Sequence, residues 1–147
     1  MSRIKLATGI KTYEIENENG EILGVIKFNP SDVNLYKRVE QFEKDAQEIE
    51  AELNECVEND DEDTLKAAMV KADAKFKQSI DDMLGNGTSE IVFGKQNVFN
   101  TLDGVTFLER FLIAIIPIIK ADIEASSKAK EQKISKYTGI VEALGDK

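Results

Sequence analysis

From Leu35 onward the apolar residues of this chain return at Val39, Phe42, Ala46, Ile49, Leu53 and Cys56, in alternating steps of four and three. An α-helix sets such positions in one line, and a seam of this length has to be covered by something apolar. Ala46 and Cys56 make the seam modest. An intramolecular helix pair satisfies it, and an intermolecular zipper with Phe42 and Ile49 at its contact is the alternative. A partner helix is at hand in the chain, because Leu65, Met69, Ala72, Phe76, Ile80 and Met83 also share one helical face. Between the two, Glu58 to Asp63 marks a turn and a second helix start, where acids suit the helix dipole. Gly85-Asn86-Gly87-Thr88 supplies the chemistry of a helix end.

A third helix opens at Thr106-Phe107-Leu108-Glu109, a capping box with Thr106 as N-cap and Glu109 reaching back. Phe107, Leu108, Phe111, Leu112, Ile113, Ile115, Ile116, Ile118 and Ile119 cover nearly every side of it, the pattern of a central, wrapped helix. Pro117 predicts a kink, since it removes a backbone donor and crowds the preceding turn. The helix is expected to run to about Tyr137, with Lys128, Lys130, Lys133 and Lys136 forming a basic arm. Gly139 ends it, and Ile140 to Leu144 is a last short turn or a tail.

The first thirty residues read as β. Thr12 to Glu16 and Glu21 to Phe28 flank Asn19-Gly20, the residue pair that favours a type I′ hairpin turn. Ile4 and Leu6 add a further short strand, with Gly9 as the break. Pro30 stops the second strand, and Ser31 or Asp32 is the N-cap of the seam helix. A lone hairpin is marginal in water, so this one has to dock. Glu90 to Gly94 reads as a short β or irregular segment. The fold class is therefore α+β, mostly α: a β-hairpin on a three-helix core with a C-terminal helical arm. One domain spans 1–147, divided as hairpin region 1–30, helical hairpin 31–84, connecting loop 85–104, kinked helix and basic arm 105–137, and tail 138–147.

Composition narrows the chemistry. The 147 residues contain no His, no Trp and one Cys. Triads, Cys-His pairs and imidazole zinc sites are thereby excluded, as is an internal disulfide. Cys56 falls on the helix seam, where a thiol is packing material rather than a nucleophile. Asp60, Asp61 and Asp63 lack the glycine and distal glutamate of a calcium loop. Gly85-x-Gly87 lacks the lysine and hydroxyl residue of a phosphate loop. Carboxylates are plentiful, but no pair is set apart by its spacing. No cofactor, metal or catalytic residue is expected, and the chain is not expected to be an enzyme.

Net charge is −9, with 28 acids against 19 bases, the wrong sign for holding a phosphate backbone. Glu40 to Asp63 alone carries −11, leaving +2 for everything else. The longest apolar run, Phe111 to Ile119, is too short to cross a bilayer, which needs ~20 residues. No signal-peptide pattern opens the chain. Neither nucleic acid nor membrane is an expected partner, and a reducing cytoplasm is the expected location. Binding and assembly remain, with Phe107, Phe111, Ile115 and Ile118 as candidate contacts, chosen by apolar patterning.

Three stretches carry a family resemblance: Gly20-Glu21-Ile22-Leu23-Gly24-Val25-Ile26-Lys27-Phe28-Asn29-Pro30-Ser31-Asp32, Ile91-Val92-Phe93-Gly94-Lys95-Gln96-Asn97, and Phe107-Leu108-Glu109-Arg110-Phe111-Leu112 leading to Pro117. Together they resemble tail assembly chaperones of long-tailed phages and prophages of Gram-positive bacteria. The resemblance implies a non-enzymatic protein of the host cytoplasm that binds the tape measure protein, recruits tail tube subunits and is absent from the finished virion. A homo-oligomer is compatible with it. Two other readings stand beside it: a structural tail subunit, of the tube or of tail completion, and a self-associating helical adaptor unrelated to phage.

Overall fold

The computed structural model describes residues 1–58, 61–121 and 124. Strands β1 (Lys11–Glu16) and β2 (Ile22–Phe28) form an antiparallel hairpin in which Tyr13 faces Ile26 and Lys11 faces Phe28. Alternation sorts the hairpin's two faces. Tyr13 and Ile15 are half-buried and Ile26 and Phe28 buried, while Ile22, Leu23 and Val25 stay exposed. The Tyr13 ring stacks on Phe28 with centroids 4.8 Å apart.

Helix α1 (Val33–Glu58) starts where Asp32 Oδ1 accepts the Asn34 N–H at 2.9 Å, so Asp32 is the cap. Helix α2 (Glu62–Leu84) starts at Asp61, whose side chain accepts the Asp63 N–H at 3.1 Å and the Thr64 hydroxyl at 2.6 Å. It ends at Gly85, whose N–H returns to the Asp81 carbonyl. The two helices pack as a hairpin. Leu35, Phe42 and Ile49 of the α1 seam are buried, and so are Ala72, Phe76, Ile80 and Met83 of α2. Each of these side chains other than Ala72 contributes about 1.5–3 kcal/mol of burial. Polar links fix the pairing. Ser79 donates to Asp45 at 2.8 Å, and Arg38 Nε donates to the Met83 carbonyl at 3.0 Å, closing the end of α2.

A short helix, α3 (Thr88–Phe93), folds back against α2 and β2. Asp81 Oδ1 accepts the Ser89 N–H at 2.8 Å and so anchors its first turn. Strands β3 (Thr101–Leu102) and β4 (Val105–Thr106) make a second, minimal hairpin. It leads into helix α4 over residues 107–121, where the Thr106 hydroxyl accepts the Glu109 N–H at 3.1 Å. Among the described residues, helix accounts for 59% and strand for 14%, an α+β fold that is mostly helical.

Several local expectations need correction. The turn at Asn19-Gly20 is not type I′, because Gly20 has positive φ and Asn19 does not. Asn17 takes over the corner, its Oδ1 accepting the Asn19 and Glu21 N–H groups at 2.9 and 3.0 Å. The type I′ geometry occurs instead at Asp103-Gly104, with φ of 53° and 80°. Ile4 and Leu6 form no strand. Residues 90–93 are helical, and the segment 85–104 holds α3 and β3 rather than loop alone. Helix α4 is not wrapped on all sides. Leu108, Phe111, Ile115 and Ile119 form one buried stripe, while Ile113 is 69% exposed. It continues through Pro117 to residue 121. The basic arm Lys128–Lys136, the end at Tyr137 and the tail 138–147 lie outside the described residues.

Candidate functional site

Phe93 ties together elements that border an apolar concavity. At the end of α3, its ring meets Phe107 edge-on at 4.7 Å and Phe111 edge-on at 5.7 Å. Such arrangements place a ring edge against a ring face and fix both partners in orientation. The start of α4 is thus tied to α3, and through α3 to α2 and β2. Upstream, Asp73 Oδ1 accepts the Val98 N–H at 2.8 Å and Lys77 Nζ donates to the Gln96 carbonyl at 2.8 Å. These bonds hold the chain that delivers β3, β4 and α4 to the body.

Between β1 and α4 lies an apolar groove of about 350 Å³. Tyr13, Glu14, Ile15 and Glu16 of β1 form one wall, with Ile26 and Val92 beneath. The other wall is α4, with Phe107, Arg110, Phe111, Ala114, Ile115 and Ile118. The four α4 residues singled out by apolar patterning, Phe107, Phe111, Ile115 and Ile118, therefore line one groove. Phe111 and Ile115 also belong to the core, at 7% and 4% exposure, whereas Ile118 is 40% exposed. Arg110 is committed within the wall. Its NH1 donates to the Val105 carbonyl at 2.6 Å, and its guanidinium lies over the Phe107 ring at 4.9 Å.

Phe42 and Ile49 are placed elsewhere. Both are 5% exposed within the α1–α2 core, so neither offers a contact to another chain. Burying the seam inside the hairpin satisfies it without a second molecule. Tyr13 and Ile15 are groove residues that apolar periodicity along α4 could not reveal, whereas Ala114 lies on the same helical face as Phe107, Phe111 and Ile118 and was passed over for its small size. The alternation Tyr13, Ile15 along β1 carried a signal of a face, but which helix would meet that face was not in it.

A second concavity, of about 280 Å³, lies between α1 and α2 and is lined with carboxylates. Most are engaged at home. Asp45 accepts from Ser79 and Gln41, each at 2.8 Å, Asp82 accepts from Gln78 at 2.9 Å, and Glu52 binds Lys75 at 2.7 Å. The hydrogen bond and charge of Lys75 hold the Glu52 carboxyl below its ordinary range. Among the described residues no cluster of His, Cys, Asp and Glu is arranged to hold a metal ion. Cys56 is a free, half-buried thiol beside α2. No helix among the described residues is long and apolar enough to cross a membrane.

No curated protein and no solved structure matches the chain. A family profile does, over residues 19–142, which leaves β1 outside the matched region. The chain belongs to that family, DUF6673, a family of unknown function.

Proposed function

We propose that this chain is a tail assembly chaperone of a long-tailed phage or prophage of Gram-positive bacteria. On this reading it acts without catalysis in the host cytoplasm, holding the tape measure protein, recruiting tail tube subunits and staying out of the finished virion. The observation that carries the reading is the β1–α4 groove. Its walls are apolar, it is open at the surface, and Ala114 and Ile118 present a face that an amphipathic segment can cover. A helix-rich client offers such segments repeatedly along its length. The net charge of −9 keeps a protein with an open apolar groove from associating without selectivity. The resemblance in Gly20–Asp32, Ile91–Asn97 and Phe107–Pro117 supplies the biological setting.

The two other readings are weaker on physical grounds. A tube or tail-completion subunit is built mainly of sheet, and 14% strand among the described residues weighs against it. An adaptor that dimerises through the α1 seam lacks its interface, because Phe42 and Ile49 are spent within the chain.

The test is an affinity pull-down from phage-producing cells with partners identified by mass spectrometry. Recovery of the tape measure protein, with the tube protein beside it, is the expected result. Finding this chain incorporated in purified particles contradicts the proposal.

A further inference from the structure

The chain reads Asn-Gly twice, at Asn19-Gly20 and at Asn86-Gly87. A glycine after asparagine puts no side chain over its own backbone nitrogen and turns freely, so that nitrogen can reach the asparagine's side-chain carbon. Both asparagines are exposed. What separates the two places is how firmly the attacking nitrogen is held.

In the first hairpin the nitrogen is engaged. The Gly20 N–H donates to the Asn17 carbonyl at 3.1 Å, and Asn17 Oδ1 accepts the Asn19 and Glu21 N–H groups on either side of it. An attack by Gly20 has to break this corner first. Between α2 and α3 the nitrogen is idle. Among the described residues the Gly87 N–H donates to no carbonyl, and the Asn86 side chain makes no hydrogen bond. Gly85 and Gly87, on either side of Asn86, have φ of 119° and 90°. A Cβ at either would meet nothing within 4 Å. Asn86 is therefore flanked by two residues with both the freedom and the room to turn.

The geometry points to Asn86 as a site of spontaneous deamidation, converting ahead of Asn19, and to its isoaspartyl product as a lesion that weakens the seat of α3. The Gly87 nitrogen attacks Cγ of Asn86. The N–Cγ bond forms, the Cγ–Nδ2 bond breaks, and Nδ2 leaves as ammonia with the proton that Gly87 gives up. Water then opens the five-membered imide ring at one of its two carbonyls, leaving aspartate or isoaspartate at position 86. Nothing is oxidised or reduced, and water is the one co-reactant. Isoaspartate runs the main chain through Cβ and Cγ and so adds one atom to it at this corner. There the Gly85 carbonyl accepts both the Thr88 N–H at 3.2 Å and the Thr88 hydroxyl at 2.7 Å, bonds that span the lengthened stretch. Helix α3, which begins at Thr88, carries the Phe93 ring that meets Phe107 and Phe111. The conversion belongs to the chain alone and does not depend on what its client is.

Ageing the full chain in warm, mildly alkaline buffer and mapping its tryptic peptides by mass spectrometry reads both sites at once, because peptides 12–27 and 78–95 hold one Asn-Gly each. Asn86 is expected to convert at least ~threefold faster than Asn19, whose neighbour must first lose a hydrogen bond. In guanidinium the Asn17 corner is gone, and the ratio is expected to shrink. Aged wild type should melt at a lower temperature than fresh protein. Asn86→Gln, an exposed change that closes no five-membered ring, should hold its melting temperature, whereas Asn19→Gln should lose it as wild type does. Asn19 converting as fast as Asn86, a ratio unchanged by unfolding, or an equal loss in wild type and Asn86→Gln overturns the inference. None of these outcomes bears on whether the tape measure protein is bound, which the pull-down reads separately.

Discussion

Asp73, midway along α2, accepts the backbone N–H of Val98 at 2.8 Å, and its other carboxyl oxygen binds Lys77 at 3.1 Å. Val98 is fully buried, so its amide has no water to turn to. Lys77 in turn donates to the Gln96 carbonyl at 2.8 Å. One acid and one base on α2 thus fasten the strand-and-turn segment that leads to α4, and with it one wall of the groove.

Removing that acid should therefore loosen the groove as well as the fold. Asp73→Ala leaves a buried N–H unpaired and is expected to cost ~1–3 kcal/mol. Asp73→Asn keeps an acceptor and should lose less. Urea unfolding of the two variants separates them, and equal stabilities would contradict the role given to the Val98 bond.

Gly24 on β2 is a close approach rather than a special backbone angle. A Cβ there would lie 2.8 Å from Cγ2 and 3.0 Å from Cγ1 of Ile91 on α3, both branches of a stiff side chain. Gly24→Ala is expected to destabilise by ~1–3 kcal/mol through overpacking. Combined with Ile91→Ala, the penalty should shrink well below the sum of the two single changes. Strict additivity in thermal melts would count against this contact.

The α1 seam is an internal core. Phe42→Ala should cost ~3–5 kcal/mol in unfolding free energy, a large part of the stability of a domain this size. Phe42 is buried within the chain at 5% exposure, so the loss should be the same at low and high protein concentration. A loss that vanishes on dilution would restore the seam as a contact between chains.

Two carboxyls are held below their ordinary range and add a pH-dependent contribution to stability. Asp61 is held below its ordinary range by the Thr64 hydroxyl first, then by the Thr64 and Asp63 amides, and Glu52 by the hydrogen bond and charge of Lys75. A carboxyl lowered in the folded state stabilises it above the unfolded value, and that contribution fades as pH falls through the folded value. Melting temperature should accordingly drop as pH passes below the ordinary carboxylate range. The drop should be shallower in Asp61→Asn, and an identical pH profile would show that the cap does not titrate as described.

The long helices were legible because their apolar periodicity agrees with their ends: Asp32 and Thr106 cap, and Gly85 stops α2. The corner of the first hairpin was misread because Asn17, two residues upstream of Asn19, offers a side-chain oxygen that competes with the I′ turn. The same rule applied to Asp103-Gly104 finds the second hairpin. Helix α3, with six residues, is too short for periodicity to register. The N–H of Ser89 in its first turn is held by Asp81, a residue of another element, which no local pattern reveals. For the groove, the α4 wall was readable from Phe107, Phe111, Ile115 and Ile118. The β1 wall was not, because its position depends on how a hairpin docks on α3 and α4. All-round apolarity of α4 overstated its burial, since Ile113 and Ile118 remain at the surface.

The most direct test of the account is co-expression of the tape measure protein with this chain and with its groove variants Ala114→Arg and Ile118→Asp. Both positions are exposed on α4, so the variants should keep the wild-type circular dichroism spectrum. Wild type is predicted to keep the tape measure protein soluble and to co-purify with it, and both variants to lose it to the insoluble fraction. A tape measure protein that is equally soluble with wild type and variants, or that never co-purifies, would contradict the groove as the seat of a chaperone's grip.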